Sequence, residues 1–230
     1  MKAWIFVEGE SDCIALNTLW TGWRESLRRV GWGIQIIPLA NKAQFFRKIG
    51  PRAAEKLTNN EDDLAVGLPD LYPNHDYMSS EYRHNNIGEL KTVQAKLVEK
   101  ALTEVFGLSK VKSTAVLGRF HPTALKHDLE MLLLAAREQL RTVLGTTDAL
   151  GNWRHPIEEQ NQMNPPKHVV EDLFRRKKGR RYRDTVDARA VLERATDINM
   201  ILYDSGGQLQ CPVFKELLDW IGAKTGVHAY

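Results

Sequence analysis

Cysteine is scarce. Cys13 and Cys211 are the only two in 230 residues, with no C-x-x-C spacing and no Cys/His cluster. That excludes a disulfide scaffold and a zinc ribbon, and a reducing cytoplasm is the expected compartment. Long apolar runs are also missing. The longest, Met131–Ala136, is far too short to cross a bilayer, so no membrane partner is expected. The N-terminus has one lysine and a short apolar run followed by acidic residues, which is not a secretory signal. A G-x-x-x-x-G-K-S/T loop is absent, so any use of ATP would reside in another subunit. Internal repeats and low-complexity tracts are absent too. The net charge is only +3, too small to name a partner by itself.

What is present suffices for a real core. Hydrophobic residues make up 43% of the chain, with six tryptophans, which fits one large domain or one domain with an appendage. The stretch Trp4–Asp12, reading WIFVEGESD, organises the rest. Its apolar run reads as a buried parallel strand that ends in Glu8, turns on Gly9 and enters a helix capped by Ser11. Ligands in open α/β sheets collect at the carboxyl ends of strands, which places Glu8 and Asp12 where chemistry is expected. Asp12 and Glu10 would also offset a helix macrodipole, but Glu8 lies before the turn and has no such structural duty.

In chain order, helix is expected over Ser11–Val30, strand over Gly33–Leu39, and helix over Asn41–Leu57 with a break or kink at Gly50-Pro51. A third strand, Asp62–Leu68, leads into Pro69 and Asp70, so a carboxylate again follows a buried strand. Tyr72–Gly88 reads as a long loop, and helix follows at Glu89–Phe106. A fourth strand is expected at Ser113–Leu117, then helix over Thr123–Val143, on which His127 and Glu130 would share a face. This alternation predicts an α/β fold: a parallel sheet flanked by helices over residues 1–144. Residues 145–230 are expected to form a linker and a helical, basic appendage packing on that core, with helices near Lys167–Phe174, Ala188–Ala195 and Pro212–Ile221. Trp20, Trp23, Trp32 and Trp220 read as packing residues.

Glu8, Asp12 and Asp70 are all expected on one rim of the sheet. Unaided, they would repel; a bound Mg²⁺ or Mn²⁺ would relieve that and create a site for phosphoryl transfer or hydrolysis. Arg175–Arg183 carries +7 in nine residues against +3 for the whole chain, so the remainder is net −4. This asymmetry favours contact with a phosphate backbone through Arg175, Arg176, Lys177, Lys178, Arg180, Arg181 and Arg183, with Lys167 nearby. Tyr182 within the run could stack on a base.

The E-G-x-S-D element after the first strand, with an Asp after the third, resembles the TOPRIM domain of topoisomerases, primases and OLD-type nucleases, over about the first 120 residues. A wider similarity rests on HDLEMLLLA, NPPK, YRDTVDARAVLERA and CPVFKELLDWI. It joins the chain to a bacterial TOPRIM-like family catalogued as domain of unknown function 4276. The family's recurrent residues fall on His127, Glu130, Asn164, Pro165, Lys167, Tyr182 and Asp187. The D-x-D common in TOPRIM domains is incomplete here, since Asp70-Leu71-Tyr72 lacks the second acid; Asp76 or Glu130 could replace it.

The resemblance implies a divalent-metal-dependent nuclease that serves as an antiphage effector under a partner ABC- or OLD-type ATPase. Glu8, Asp12, Asp70 and Glu130 would hold the metal, and Glu8, Asp70, Glu130 and His127 would form the catalytic set. Two other readings compete. One is a catalytically weak, TOPRIM-like regulatory subunit of an ATPase assembly. The other is a small-molecule phosphatase. DNA or RNA as substrate, and a homo-oligomer, stay open.

Overall fold

The computed structural model describes residues 1–72, 81–160 and 162–230. Four strands, β1 (Lys2–Val7), β2 (Gly33–Pro38), β3 (Leu64–Leu68) and β4 (Phe120–Pro122), form one sheet in the order β2-β1-β3-β4. All pairs are parallel, with Ile5 beside Ile36 on one side and Val66 on the other. The expected parallel α/β fold is present. β1 and β3 are central, and their apolar sequences suit strands covered on both faces. Alternation along β1 divides the core. Ala3, Ile5 and Val7 point to one cluster and Phe6 to the other.

The first face is covered by α1 (Glu10–Leu19), α2 (Thr21–Arg29) and helices from the second half of the chain. These are α6 (Glu130–Ala135), α7 (Arg137–Leu144), α8 (Pro166–Lys178), α9 (Arg189–Leu192), α10 (Asn199–Leu202) and α11 (Pro212–Thr225). Trp20 lies at the centre of this layer, 6.2 Å from Phe214 and 5.7 Å from Trp23. Residues 145–230 thus share a core with β1. The other face is covered by α3 (Lys42–Asn59), α4 (Ile87–Glu104) and α5 (Lys110–Leu117). No helix among the described residues is long and apolar enough to cross a membrane.

Several local expectations change. Helix one is two helices joined at Trp20, and its N-cap is Gly9 rather than Ser11. Asp12 fills the capping role, its Oδ2 accepting the Gly9 N–H at 2.9 Å. Asn41 caps α3 as expected, accepting from Gln44 N at 2.9 Å, but α3 does not break at Gly50-Pro51. Phe45, Phe46, Ile49, Ala53 and Leu57 bury one continuous stripe, and that packing outweighs the one hydrogen bond Pro51 removes. Ser113–Leu117 is helix, not strand, because Ser109 caps α5. The fourth strand comes after the turn at Gly118, and Arg119 there donates to the carbonyls of Leu57, Asn60 and Asp63 at the end of α3. Thr123–Leu129 is not helical. Leu125 pairs in parallel with Asp70, so this segment extends the sheet edge before α6 begins.

Gly50 marks the closest approach of α3 to α4. A Cβ there would lie 2.6 Å from the Leu97 carbonyl oxygen, a backbone atom that cannot swing aside. Gly22, in α2, has nothing within 4 Å of its Cβ position. Gly50→Ala is therefore expected to lose about 1–3 kcal/mol to overpacking, which exceeds the gain of up to about 1 kcal/mol in helix propensity. Gly22→Ala is expected to show only the gain. Thermal melts of the two variants should shift in opposite directions.

Candidate active site

β1 connects through α1 and α2 to β2 on one side, whereas β3 connects through α4 and α5 to β4 on the other. The crossovers diverge between β1 and β3, so a crevice opens at the carboxyl ends of these two strands. Glu8 follows β1 and Asp70 follows β3. Glu8 Oε1 accepts the Asp70 N–H at 3.1 Å and lies 3.7 Å from Lys42 Nζ. Asp12 reaches the same crevice from the first turn of α1. The segment paired with Asp70 through Leu125 brings in Asp128 and Glu130, and α8 contributes Lys167, whose N–H donates to Asp128 Oδ2 at 3.2 Å. Glu8, Asp12, Asp70, Asp128, Glu130, Lys42 and Lys167 line one cleft of about 390 Å³.

Three longer helices, α1, α3 and α8, begin at this cleft, through Gly9, Asn41 and Lys167. Their positive ends favour carboxylates and would favour a phosphate group. Immediately before the cap of α3, Ala40 has φ +88°, the one non-glycine residue of positive φ among the described residues. Backbone strain of this kind, about 1–3 kcal/mol, concentrates at functional clefts.

The carboxylates are strongly perturbed. Burial raises Glu8 to about 7, opposed by Lys42 and reinforced by Asp12. Burial and then the charges of Glu8 and Asp12 push Asp70 well above its ordinary range. Asp128 rises to about 6 through burial, opposed by the N–H and ammonium of Lys167. Glu130 rises to about 7 through burial and the Asp128 charge, opposed by Lys167. Burial likewise raises Asp12, opposed by the Gly9 N–H. Asp70 Oδ1 and Asp128 Oδ1 are buried without a hydrogen-bond partner among the described residues. Unsatisfied carboxylate oxygens in an all-oxygen donor set suit a hard divalent cation in their chemistry. Among the described residues, however, no three such side chains approach closely enough to form a ready-made metal cage.

Glu8, Asp12, Asp70 and Glu130 thus come together. His127 does not join them. It precedes α6, so it shares no helix face with Glu130, and its buried ring packs 5.5 Å from Tyr72, a residue of the cleft wall, without itself lining the cleft. Burial, then Lys126, lowers its pKa, which favours a neutral imidazole. Asp76 lies outside the described residues. Tyr182 is not placed to stack on a base, because its ring is 5.2 Å from Phe174 and its buried hydroxyl faces Glu130. Within the basic run, Arg175 to Lys178 form the last turn of α8. Arg175 pairs with Asp172 at 3.1 Å and Lys177 with Asp148 at 2.6 Å, while Arg180 is engaged by Asp187. Arg176, Lys178, Arg181 and Arg183 are exposed.

Asp128 and Lys42 were missed from sequence. Asp128 obeys the rule that identified Glu8 and Asp70, a carboxylate after a strand-like segment, but a helix assigned from Thr123 onward hid that segment. Lys42 had no signal beyond its place after the cap of α3.

Glu8, Asp128 and Glu130 have folded pKa values raised above their ordinary ones. The stability from keeping them protonated is full at pH below about 4 and is lost as pH rises through about 6–7. The melting temperature in a chelator should therefore fall between pH 5 and pH 8, by roughly 5 °C or more if each shift is worth a kcal/mol or so. Glu8→Gln should flatten the slope. An unchanged profile would show that these carboxyls are not perturbed.

Comparison with curated proteins finds no match. Two solved structures of the C-terminal region of the OLD protein of Xanthomonas campestris pv. campestris, one phased with mercury and one with iodine, are similar. They share 13% and 14% identity with this chain, cover 83% of it and 84% of their own length, and have TM-scores of 0.41 and 0.38. A family profile described as a domain of unknown function (DUF4276) matches residues 7–222. That span takes in every carboxylate of the cleft and the C-terminal helices that cover the first face, and the chain belongs to this family.

Proposed function

We propose that the protein is a divalent-metal-dependent nuclease of the TOPRIM type that hydrolyses phosphodiester bonds. The observation that carries this reading is the convergence of Glu8, Asp12, Asp70, Asp128 and Glu130 on one cleft with Lys42 and Lys167. The carboxylates would supply the oxygen ligands for Mg²⁺ or Mn²⁺. A bound ion would supply charge stabilisation at the scissile phosphate and lower the pKa of a coordinated water. Lys42, Lys167 and the helix N-termini would hold the anionic phosphate oxygens. Glu8, at the end of β1, would take the proton of the attacking water. As that oxygen bonds to phosphorus, the bond to the leaving oxygen breaks and the leaving oxygen takes a proton from solvent.

The exposed cations at the end of α8 and beyond it would track the backbone of DNA or RNA. An ATPase subunit would control access, and an antiphage role would follow from that pairing; both extend the resemblance noted from sequence.

A second reading, a catalytically weak binding subunit, is favoured by two observations. No three acids form a ready-made cage among the described residues, and two lysines already offset part of the acidic charge. Cleavage assays on the purified chain decide between them. The nuclease reading expects Mg²⁺- or Mn²⁺-dependent cleavage of an oligonucleotide that EDTA abolishes. Glu8→Gln and Asp70→Asn should each lower it by about a hundredfold or more, exceeding the 10–100-fold typical of residues one shell removed from a metal. Oligonucleotide binding without cleavage, unaltered by either substitution, would favour the binding subunit. Equal turnover of a free nucleotide would point to a phosphatase.

A further inference from the structure

The strongest arrangement not used above lies inside the basic run. Arg180 grips Asp187 with both guanidinium nitrogens, at 2.7 Å each, and Asp187 also accepts the Arg183 N–H at 2.8 Å. The Asp187 side chain is only 4% exposed, whereas that of Arg183 is 60% exposed. Two-point pairing of guanidinium with a shielded carboxylate fixes both direction and distance, unlike a pair between exposed chains. The segment it closes, residues 180–187, is extended through Arg183 and then enters a wide helical turn at Asp184–Ala188. Arg180 also lies over Phe174, 5.2 Å from its ring centre, and Phe174 lies 5.2 Å from the Tyr182 ring. Phe174 thus neighbours both the clasp and Tyr182. The Tyr182 hydroxyl is buried, has no hydrogen-bond partner of normal geometry among the described residues, and faces the Glu130 carboxylate.

We infer that Arg180 and Asp187 form a clasp that sets Tyr182 against Glu130, so that Tyr182 is a positioning residue for a carboxylate of the cleft and Arg180 serves the site rather than the substrate backbone. A buried hydroxyl aimed at one oxygen of a ligating carboxylate restricts its rotation and leaves the other oxygen for a cation. The basic run thereby divides by function. Its exposed members meet the phosphate backbone, and Arg180 orients the centre. This rests on the metal-dependent reading proposed above.

The test compares Tyr182→Phe, Arg180→Ala and Arg180→Lys with Arg176→Ala in the full chain. Mn²⁺ affinity is measured by calorimetry without substrate, and KM and kcat by cleavage of an oligonucleotide. Tyr182→Phe and Arg180→Ala are expected to weaken Mn²⁺ binding by about 10–100-fold and to lower kcat with little change in KM. Arg180→Lys, which keeps the charge but loses the fork, should behave like Arg180→Ala. Arg176→Ala should raise KM, with a weaker salt dependence, and leave Mn²⁺ affinity unchanged. If Arg180→Ala instead raises KM and spares Mn²⁺ affinity, or if Tyr182→Phe binds Mn²⁺ as the native chain does, the inference is overturned. A native chain with no Mn²⁺ affinity would sink the nuclease reading first. The clasp is then judged by hydrogen exchange over residues 182–188, which Arg180→Ala must accelerate; unchanged exchange would remove the clasp as well.

Discussion

Like charge crowded at the ends of two adjacent parallel strands is the constraint on which the rest of this molecule depends. β1 and β3 lie side by side and end at the same level, so the residues that follow them, Glu8 and Asp70, must meet. Two unit charges 4 Å apart cost roughly 4 kcal/mol at an effective dielectric of 20. Five carboxylates share one cleft, and the repulsion falls with their separation. The helix N-termini offer about 0.3–1 kcal/mol each, up to about 2 when partly buried. They are therefore too weak to offset that repulsion by themselves. Lys42 and Lys167 remove part of it, and burial, by raising these acids towards protonation, removes more. A doubly charged cation would satisfy them while ionised.

The same constraint explains what was legible in the sequence. A run of Trp, Ile, Phe and Val followed by Glu-Gly announces a buried strand and its exit, because burial on both faces leaves a continuous apolar signature. Glu8, Asp12 and Asp70 were therefore found from pattern. β4 was not, since only Phe120–Pro122 pairs and three residues carry no periodicity. The apolar Ser113–Leu117 took its place in the reading, although the Ser109 cap just upstream indicates a helix. Misplacing that strand moved the next helix seven residues too early, from Glu130 to Thr123. His127 then seemed to share a face with Glu130, and Asp128, the residue that does enter the cleft, went unread.

Arg180 was legible only as composition, and Tyr182 stood out beyond that only through the family resemblance. In a run of seven cations the natural inference is solvent or phosphate, because few such side chains are buried or bound internally. Nothing in the local spacing distinguishes Arg180 from Arg181. The difference comes from Asp187, whose nearly buried carboxylate needs a paired cation far more than an exposed one would. An acidic residue seven positions from an arginine is unremarkable on a linear chain and becomes a partner only when the chain doubles back.

The second half of the chain is consequently not dispensable to the cleft. Phe174, Leu173 and Phe214 belong to the same cluster as Ile5 and Val7, so residues beyond 145 share the core on that side of the sheet with α1, α2, α6 and α7. Lys167 lines the cleft from that layer, and Tyr182 faces Glu130 from it. Truncation near residue 144 would strip part of that cluster and also remove an ammonium group that lowers the cost of ionising Asp12, Asp128 and Glu130. Core and chemistry are thus tied to one helix. α8 begins at the carboxylates with Lys167, is anchored in the apolar layer by Leu173 and Phe174, and ends in the cations suited to a phosphate backbone. Over its 13 residues it spans about 20 Å, so one rigid element sets the distance between the carboxylate cleft and the exposed positive surface.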